Sequence, residues 1–201
     1  MPRMDLMVDT NVYFIHFKCG SKVLVDETKK KEFLDLFLRC YLNDKFRIFA
    51  FSVLDREIYL LAGWTEGEDA SDSRVADAEL AVLRRCWEYF TIWDPSVRER
   101  PAEENGGYAR IRTMEDMLKA CRYIHLIPIT EKYASEISGY WWSSFQAYRG
   151  TYEWRYVETE PLLEYLDWDI DYARRLFIKL HQHIYDHTYQ FQIRELPYRI
   201  S

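Results

Sequence analysis

The sequence has no pair of cysteines at metal or redox spacing. Cys19, Cys40, Cys86 and Cys121 are scattered along 201 residues without a C-x-x-C. That excludes a zinc ribbon and a disulfide framework, and the expectation is free thiols in a reducing cytoplasm. Also missing is any apolar run of the roughly 18 residues that a membrane span requires, so no membrane partner is expected. The stretch MPRMDLMVDT lacks the apolar core of a signal peptide. No internal repeat, low-complexity tract or domain linker stands out. Nor is there an excess of positive charge. The formal net charge is -6, which counts against a protein that grips nucleic acid mainly through phosphates, because those contacts need Lys and Arg.

What is present is a large apolar and aromatic content. At 48% hydrophobic and 17% aromatic, the chain can bury a sizeable core and is not a disordered segment. The charge is unevenly spread. Glu66, Glu68, Asp69, Asp72, Asp77 and Glu79 crowd one stretch against Arg74 alone. A local basic face therefore belongs to the N-terminal half and to Arg110, Arg112, Lys119 and Arg122.

Residues 12–17 (VYFIHF) are β-branched and aromatic and predict a strand, with a turn at Gly20 and Ser21. Asp26 is placed to cap a helix over 27–42 whose apolar positions are Phe33, Leu34, Leu36, Phe37, Leu38 and Tyr41. Lys29, Lys30 and Lys31 fall on its first turn, where the dipole disfavours cations; they read as a solvated turn or as a phosphate contact. Residues 46–54 and 57–64 predict two paired strands around Asp55 and Arg56. A helix capped by Ser71 or Ser73 runs to about Ile92, and 93–107 is a long loop with Pro95, Pro101, Gly106 and Gly107. A short strand over 108–112 precedes an amphipathic helix over 114–126 that Pro128 stops. Helices follow over 160–166 and 169–187, and 194–201 reads as a tail. The order predicts an α+β fold, an antiparallel sheet with helices packed on it. Residues 1–158 form the main domain, and 159–201 a helical C-terminal extension packed on it.

Two motifs carry a resemblance. The first is Cys121-Arg122-Tyr123-Ile124-His125-Leu126-Ile127-Pro128; the second is Tyr140-Trp141-Trp142-Ser143-Ser144 followed by Tyr148 and Gly150. In this order and spacing they resemble the C-terminal core of the REP-associated tyrosine transposases, the single-tyrosine branch of the HUH nucleases. The resemblance implies a ferredoxin-like sheet with a nucleophile helix against it, and puts Tyr123 at the place of the tyrosine that attacks a DNA phosphate. In that family a divalent metal such as Mg or Mn polarises the phosphate. It is held by a His-hydrophobic-His pair on a strand and by a polar residue one helical turn after the tyrosine.

Here the matching strand positions are Glu57 and Tyr59, and the helix position is Ile127. The resemblance therefore implies a degenerate member that needs no cofactor and does not cleave. Its remaining partner would be single-stranded or hairpin DNA, held by Arg110, Arg112, Lys119, Arg122, Trp142 and Arg149. The alternative is a protein-interaction scaffold that no longer touches nucleic acid. A third reading is a nuclease rebuilt around Glu57 and Tyr123. Monomer and dimer both stay open.

Other residues invite a role. His183 and His187 share a helical face and His181 lies close, but no Glu or Cys accompanies them, so they read as a polar helix face. His16 reads as strand packing. Trp141, Trp142, Phe145 and Tyr148 suit stacking on unpaired bases, or else packing against the sheet. Ser143 and Ser144 read as a turn or helix cap.

Overall fold

Along β1 (Met7–Lys18), Tyr13, Ile15 and Phe17 enter one buried cluster while Val12 and Phe14 enter another. This is the period-two pattern of a strand covered on both faces. The computed structural model describes residues 7–18, 24–40, 46–64, 106–152, 154, 156–182 and 199–200. After β1 come α1 (Glu27–Cys40), β2 (Phe46–Val53), β3 (Glu57–Trp64), β4 (Gly106–Thr113) and α2 (Met114–Thr130). Then follow a 3-10 turn at Ile137–Gly139, α3 (Phe145–Arg149), α4 (Glu160–Leu166), α5 (Ile170–Gln182) and β5 (Arg199–Ile200). The helix and most of the loop expected over 71–105 lie outside the described residues, as do the turn at Gly20 and Ser21, His183 and His187.

The sheet order is β2-β3-β1-β4-β5, and every pairing is antiparallel. With β2 and β3 joined as a hairpin and β1 lying between β3 and β4, this is the ferredoxin-like arrangement expected. Phe33, Leu34 and Phe37 of α1 cover one face, on Ile15, Phe51 and Leu60. On the other face Leu118, Cys121 and Ile124 of α2 pack with Tyr148, Leu162 and Phe177 against Phe14 and Leu61. Among the described residues no helix is long and apolar enough to cross a membrane.

Local chemistry explains most of the boundaries. Asp26 Oδ1 accepts the Lys29 amide at 2.8 Å and starts α1. Thr113 Oγ1 accepts the Asp116 amide at 3.1 Å, and Glu115 and Asp116 suit the positive end of α2. Two expectations need correction. Pro128 does not stop α2; the helix runs through it to Thr130. Proline removes a single amide near the helix end, and the Pro128 carbonyl still accepts from Tyr133 and Ala134 at 2.7 and 3.1 Å. Lys132, with φ 63, makes the actual termination. Nor is the C-terminal stretch wholly a tail: Arg199 and Ile200 pair with Tyr108 and Gly107 at the edge of β4.

The opposite edge, β2, is sealed by irregular chain. Val53 N donates to Trp142 O at 2.9 Å, Ser144 N donates to Phe51 O at 3.0 Å, and Ser52 bridges Ser143. Further along, Glu158 N donates to Ile48 O at 2.8 Å. An edge covered in this way is closed to pairing with another chain.

Candidate nucleic-acid interface

Helix α2 lays Tyr123 half-buried on the sheet, with its ring 5.8 Å from that of Phe14 on β1 and 6.2 Å from that of Tyr59 on β3. One turn later Ile127 is buried in the same cluster. Glu57 and Tyr59 lie two apart on β3 and so share this face, and β1 sets Lys18 opposite Glu57 and His16 opposite Tyr59. Tyr59, Tyr123 and Ile127 thus belong to one cluster, and Glu57 is tied to it through the Tyr59 hydroxyl.

Glu57 is the centre of this group. Its Oε2 accepts from His16 Nε2 at 3.0 Å and from the Tyr59 hydroxyl, and Lys18 Nζ stands 3.5 Å from Oε1. The imidazole of His16 is stacked on the Tyr59 ring, with centroids 4.5 Å apart. The hydrogen bond from His16 is the main reason that the carboxyl pKa is held down at about 2; Tyr59 and the charges of His16 and Lys18 add to it, against the cost of burial. Burial first, then the bond to Glu57, pushes the Tyr59 hydroxyl well above the ordinary phenol range. His16 is therefore more than strand packing. The alternation of His16 and Lys18 along a strand was the available signal, but only the register of β1 on β3 shows where they point.

A divalent ion of the kind the transposases use needs hard or imidazole donors that are open to it. This donor set does not fit. The one carboxylate already takes three donors, the phenol resists deprotonation, and Ile127 has no donor. Among the described residues no group of three or more His, Cys, Asp or Glu could hold a metal ion.

The residues expected on DNA are placed unequally. Arg112 on β4 is exposed; Arg110 is partly exposed and donates to Asn11 Oδ1 at 2.8 Å. Lys119 pairs with Glu115 at 2.7 Å along α2. Trp142 is partly buried, and Arg149 donates to Gln146 Oε1 at 3.3 Å. Arg122 needs correction: it is 4% exposed, and its Nε donates to Leu180 O at 2.8 Å. It faces inward because helix α5 packs over that side of α2, so it ties two helices together and does not reach the surface.

The aromatic motif divides in the same way. Phe145 and Tyr148 are buried, and the Tyr148 hydroxyl donates to Phe49 O at 2.9 Å, so these two pack against the sheet. Trp141 is exposed and meets Tyr152 edge-on at 5.9 Å. Gly150, with φ 70, closes α3 in the left-handed region. Ser144 makes no side-chain cap bond; its hydroxyl instead lies 2.7 Å from His125 Nε2. His181 is buried on α5, beside His125, and not on a polar face.

Lys30 needs correction too. It is buried, 3.0 Å from Asp55 Oδ1 and under the rings of Tyr133 and Tyr140. It is neither a solvated turn nor a phosphate contact. Its partner sits in the β2–β3 turn, which no local pattern links to α1.

No family model matches the chain, and no curated protein matches it. Among solved structures the chain is similar to a REP-associated tyrosine transposase bound to a REP hairpin. Identity is 16% and the TM-score 0.55, covering 74% of this chain and 86% of that chain. The chain has a transposase-like fold. At this identity the likeness is one of fold.

Proposed function

We propose that this is a degenerate member of the HUH superfamily that binds single-stranded or hairpin DNA and does not cut it. The observation that carries the reading is the seat of Tyr123 beside Glu57 and Tyr59, in a fold like that of a transposase solved with a hairpin. A phosphotyrosine transfer needs charge stabilisation at the phosphate, and the donors under Tyr123 are turned to one another instead. Binding does not need that chemistry. Arg112 and Arg110 on β4, Lys119 on α2, and Trp142 and Arg149 beyond it are the candidate contacts; buried Arg122 is set aside.

The test is a titration of the purified chain against a panel of hairpins and matched duplexes, at two salt concentrations with Mg²⁺ present. Tight, salt-sensitive binding to a hairpin, with the DNA recovered intact, supports the reading. Cleavage that disappears in Tyr123→Phe overturns the loss of chemistry. No binding at low salt removes DNA altogether and leaves the protein-interaction scaffold, which the net charge of -6 favours.

A further inference from the structure

We infer that the polar group His16–Glu57–Lys18, closed by the Tyr59 hydroxyl, takes the place of a bound metal in this fold, so that the site excludes divalent ions while its frame stays intact. The inference rests on the proposed function only in taking Glu57 and Tyr59 as the positions where the transposases carry histidines.

Three observations carry it. The first is saturation. Glu57 Oε2 accepts from both His16 at 3.0 Å and Tyr59, and the Lys18 ammonium lies 3.5 Å from Oε1. An incoming ion would have to displace these donors and then sit beside a cation. The second is rigidity. His16 is stacked on Tyr59 at an interplanar angle of 7°, and Tyr59 meets both Phe14 and Tyr123, so the group is packed in place. The third is register. The Lys18–Glu57 and His16–Tyr59 pairs are held by the continuous pairing of β1 on β3. Lys18 on the neighbouring strand supplies internally the positive charge that an ion would supply from solution, and His16 occupies the carboxylate as a hydrogen-bond donor. The backbone that would present ligands remains, because alternate residues of β3 still face the same helix.

The inference predicts the behaviour of the DNA-free chain toward metal alone. Mn²⁺ is titrated and followed by loss of the free-ion EPR signal, and Co²⁺ by its visible absorption. Wild-type protein and Glu57→Gln are expected to match, with no ion held at this place. The double substitution E57H/Y59H, which sets two imidazoles beside that of His16, is expected to gain a stoichiometric Co²⁺ site. A stoichiometric ion held by wild type and lost in Glu57→Gln overturns the inference. A folded E57H/Y59H that takes up no Co²⁺ also overturns it, because the frame is then not intact. If far-UV circular dichroism shows the double variant unfolded, the comparison of wild type with Glu57→Gln decides. These readouts use no DNA, so their failure is separate from failure of the hairpin titration.

Discussion

His125 Nδ1 lies 3.2 Å from His181 Nε2, and both rings are buried. The rest of the chain of contacts assigns the protons. The Phe177 carbonyl, 2.8 Å from His181 Nδ1, can only accept, so that nitrogen donates. His181 Nε2 then accepts from His125 Nδ1, and His125 Nε2 accepts from the Ser144 hydroxyl at 2.7 Å. Ser144 Oγ in turn accepts the Phe51 amide at 2.9 Å. One polar line thus joins β2, the serine motif, α2 and α5, with every member satisfied while both rings are neutral.

That line sets an acid sensitivity. Burial pushes both histidines down, His181 to about 3 and His125 well below its ordinary value of 6.5. The unfolded chain takes up protons below about pH 6.5 and the native chain does not, so the neutral pair contributes stability that is complete above that pH. It is lost as pH falls toward about 3, where His181 itself titrates. The slope approaches ~1.4 kcal/mol per pH unit for each histidine. Urea denaturation from about pH 8 to about pH 5 is expected to show this fall. Glu57 titrates at lower pH in both states, between 4.5 and about 2, and adds its own loss only there. A flat stability down to about pH 5 would sink the assignment.

Lys30 and Asp55 have side chains only 7% and 14% exposed, and their ion pair joins α1 to the β2–β3 turn. Breaking a buried pair from one side leaves an uncompensated charge and costs about 3–5 kcal/mol. Lys30→Met and Asp55→Leu are each expected to lower the urea midpoint strongly. The double variant K30M/D55L is expected to recover most of the loss, because neither charge is then buried alone. A loss in the double variant equal to the sum of the two single losses would refute the pairing.

Much of this architecture is legible in the sequence, because strand and helix periods are local. The β-branched and aromatic run VYFIHF, the Asp26 cap and the turn at Asp55-Arg56 all produce the elements they predict. The interest in Tyr123, Glu57, Tyr59 and Ile127 comes from the resemblance carried by the two motifs; the structure adds that the rings of Tyr123 and Tyr59 meet. What is not legible depends on residues far apart in the chain. Lys30 looks like one of three solvated lysines until Asp55 meets it, and Arg122 looks like a surface cation until α5 covers it. His181 suggests a polar face beside His183 and His187 until His125 and Ser144 close the line inward. Helical spacing says which side chains share a face, but not which face is buried.

Ser143 and Ser144 are both buried, but with different tasks. Ser144 Oγ serves the Phe51 amide and His125 at once, so Ser144→Ala leaves a buried amide and an imidazole nitrogen unpaired. The expected loss is about 1–3 kcal/mol. Tyr148→Phe, which removes a bond to the Phe49 carbonyl and a weak contact with the Cys121 thiol, is expected to cost less. Thermal or urea denaturation of the two variants checks the order, and a larger loss for Tyr148→Phe would contradict it.

Arg112 and Arg122 separate binding from folding. Both were expected to contact DNA, yet Arg112 is exposed on β4 while Arg122 is 4% exposed and bonded to Leu180 O at 2.8 Å. Arg112→Ala is expected to leave stability within about 0.5 kcal/mol. It should weaken hairpin binding for every sequence and reduce the logarithmic salt slope by about 1, the signature of one lost phosphate contact. Arg122→Ala removes a charge-assisted bond between α2 and α5 and is expected to cost about 1.5–3 kcal/mol of stability. The fraction of that variant that remains folded should bind the hairpin with an unchanged salt slope. A salt slope altered in Arg122→Ala but not in Arg112→Ala would place the DNA on the opposite side of α2 from the one proposed.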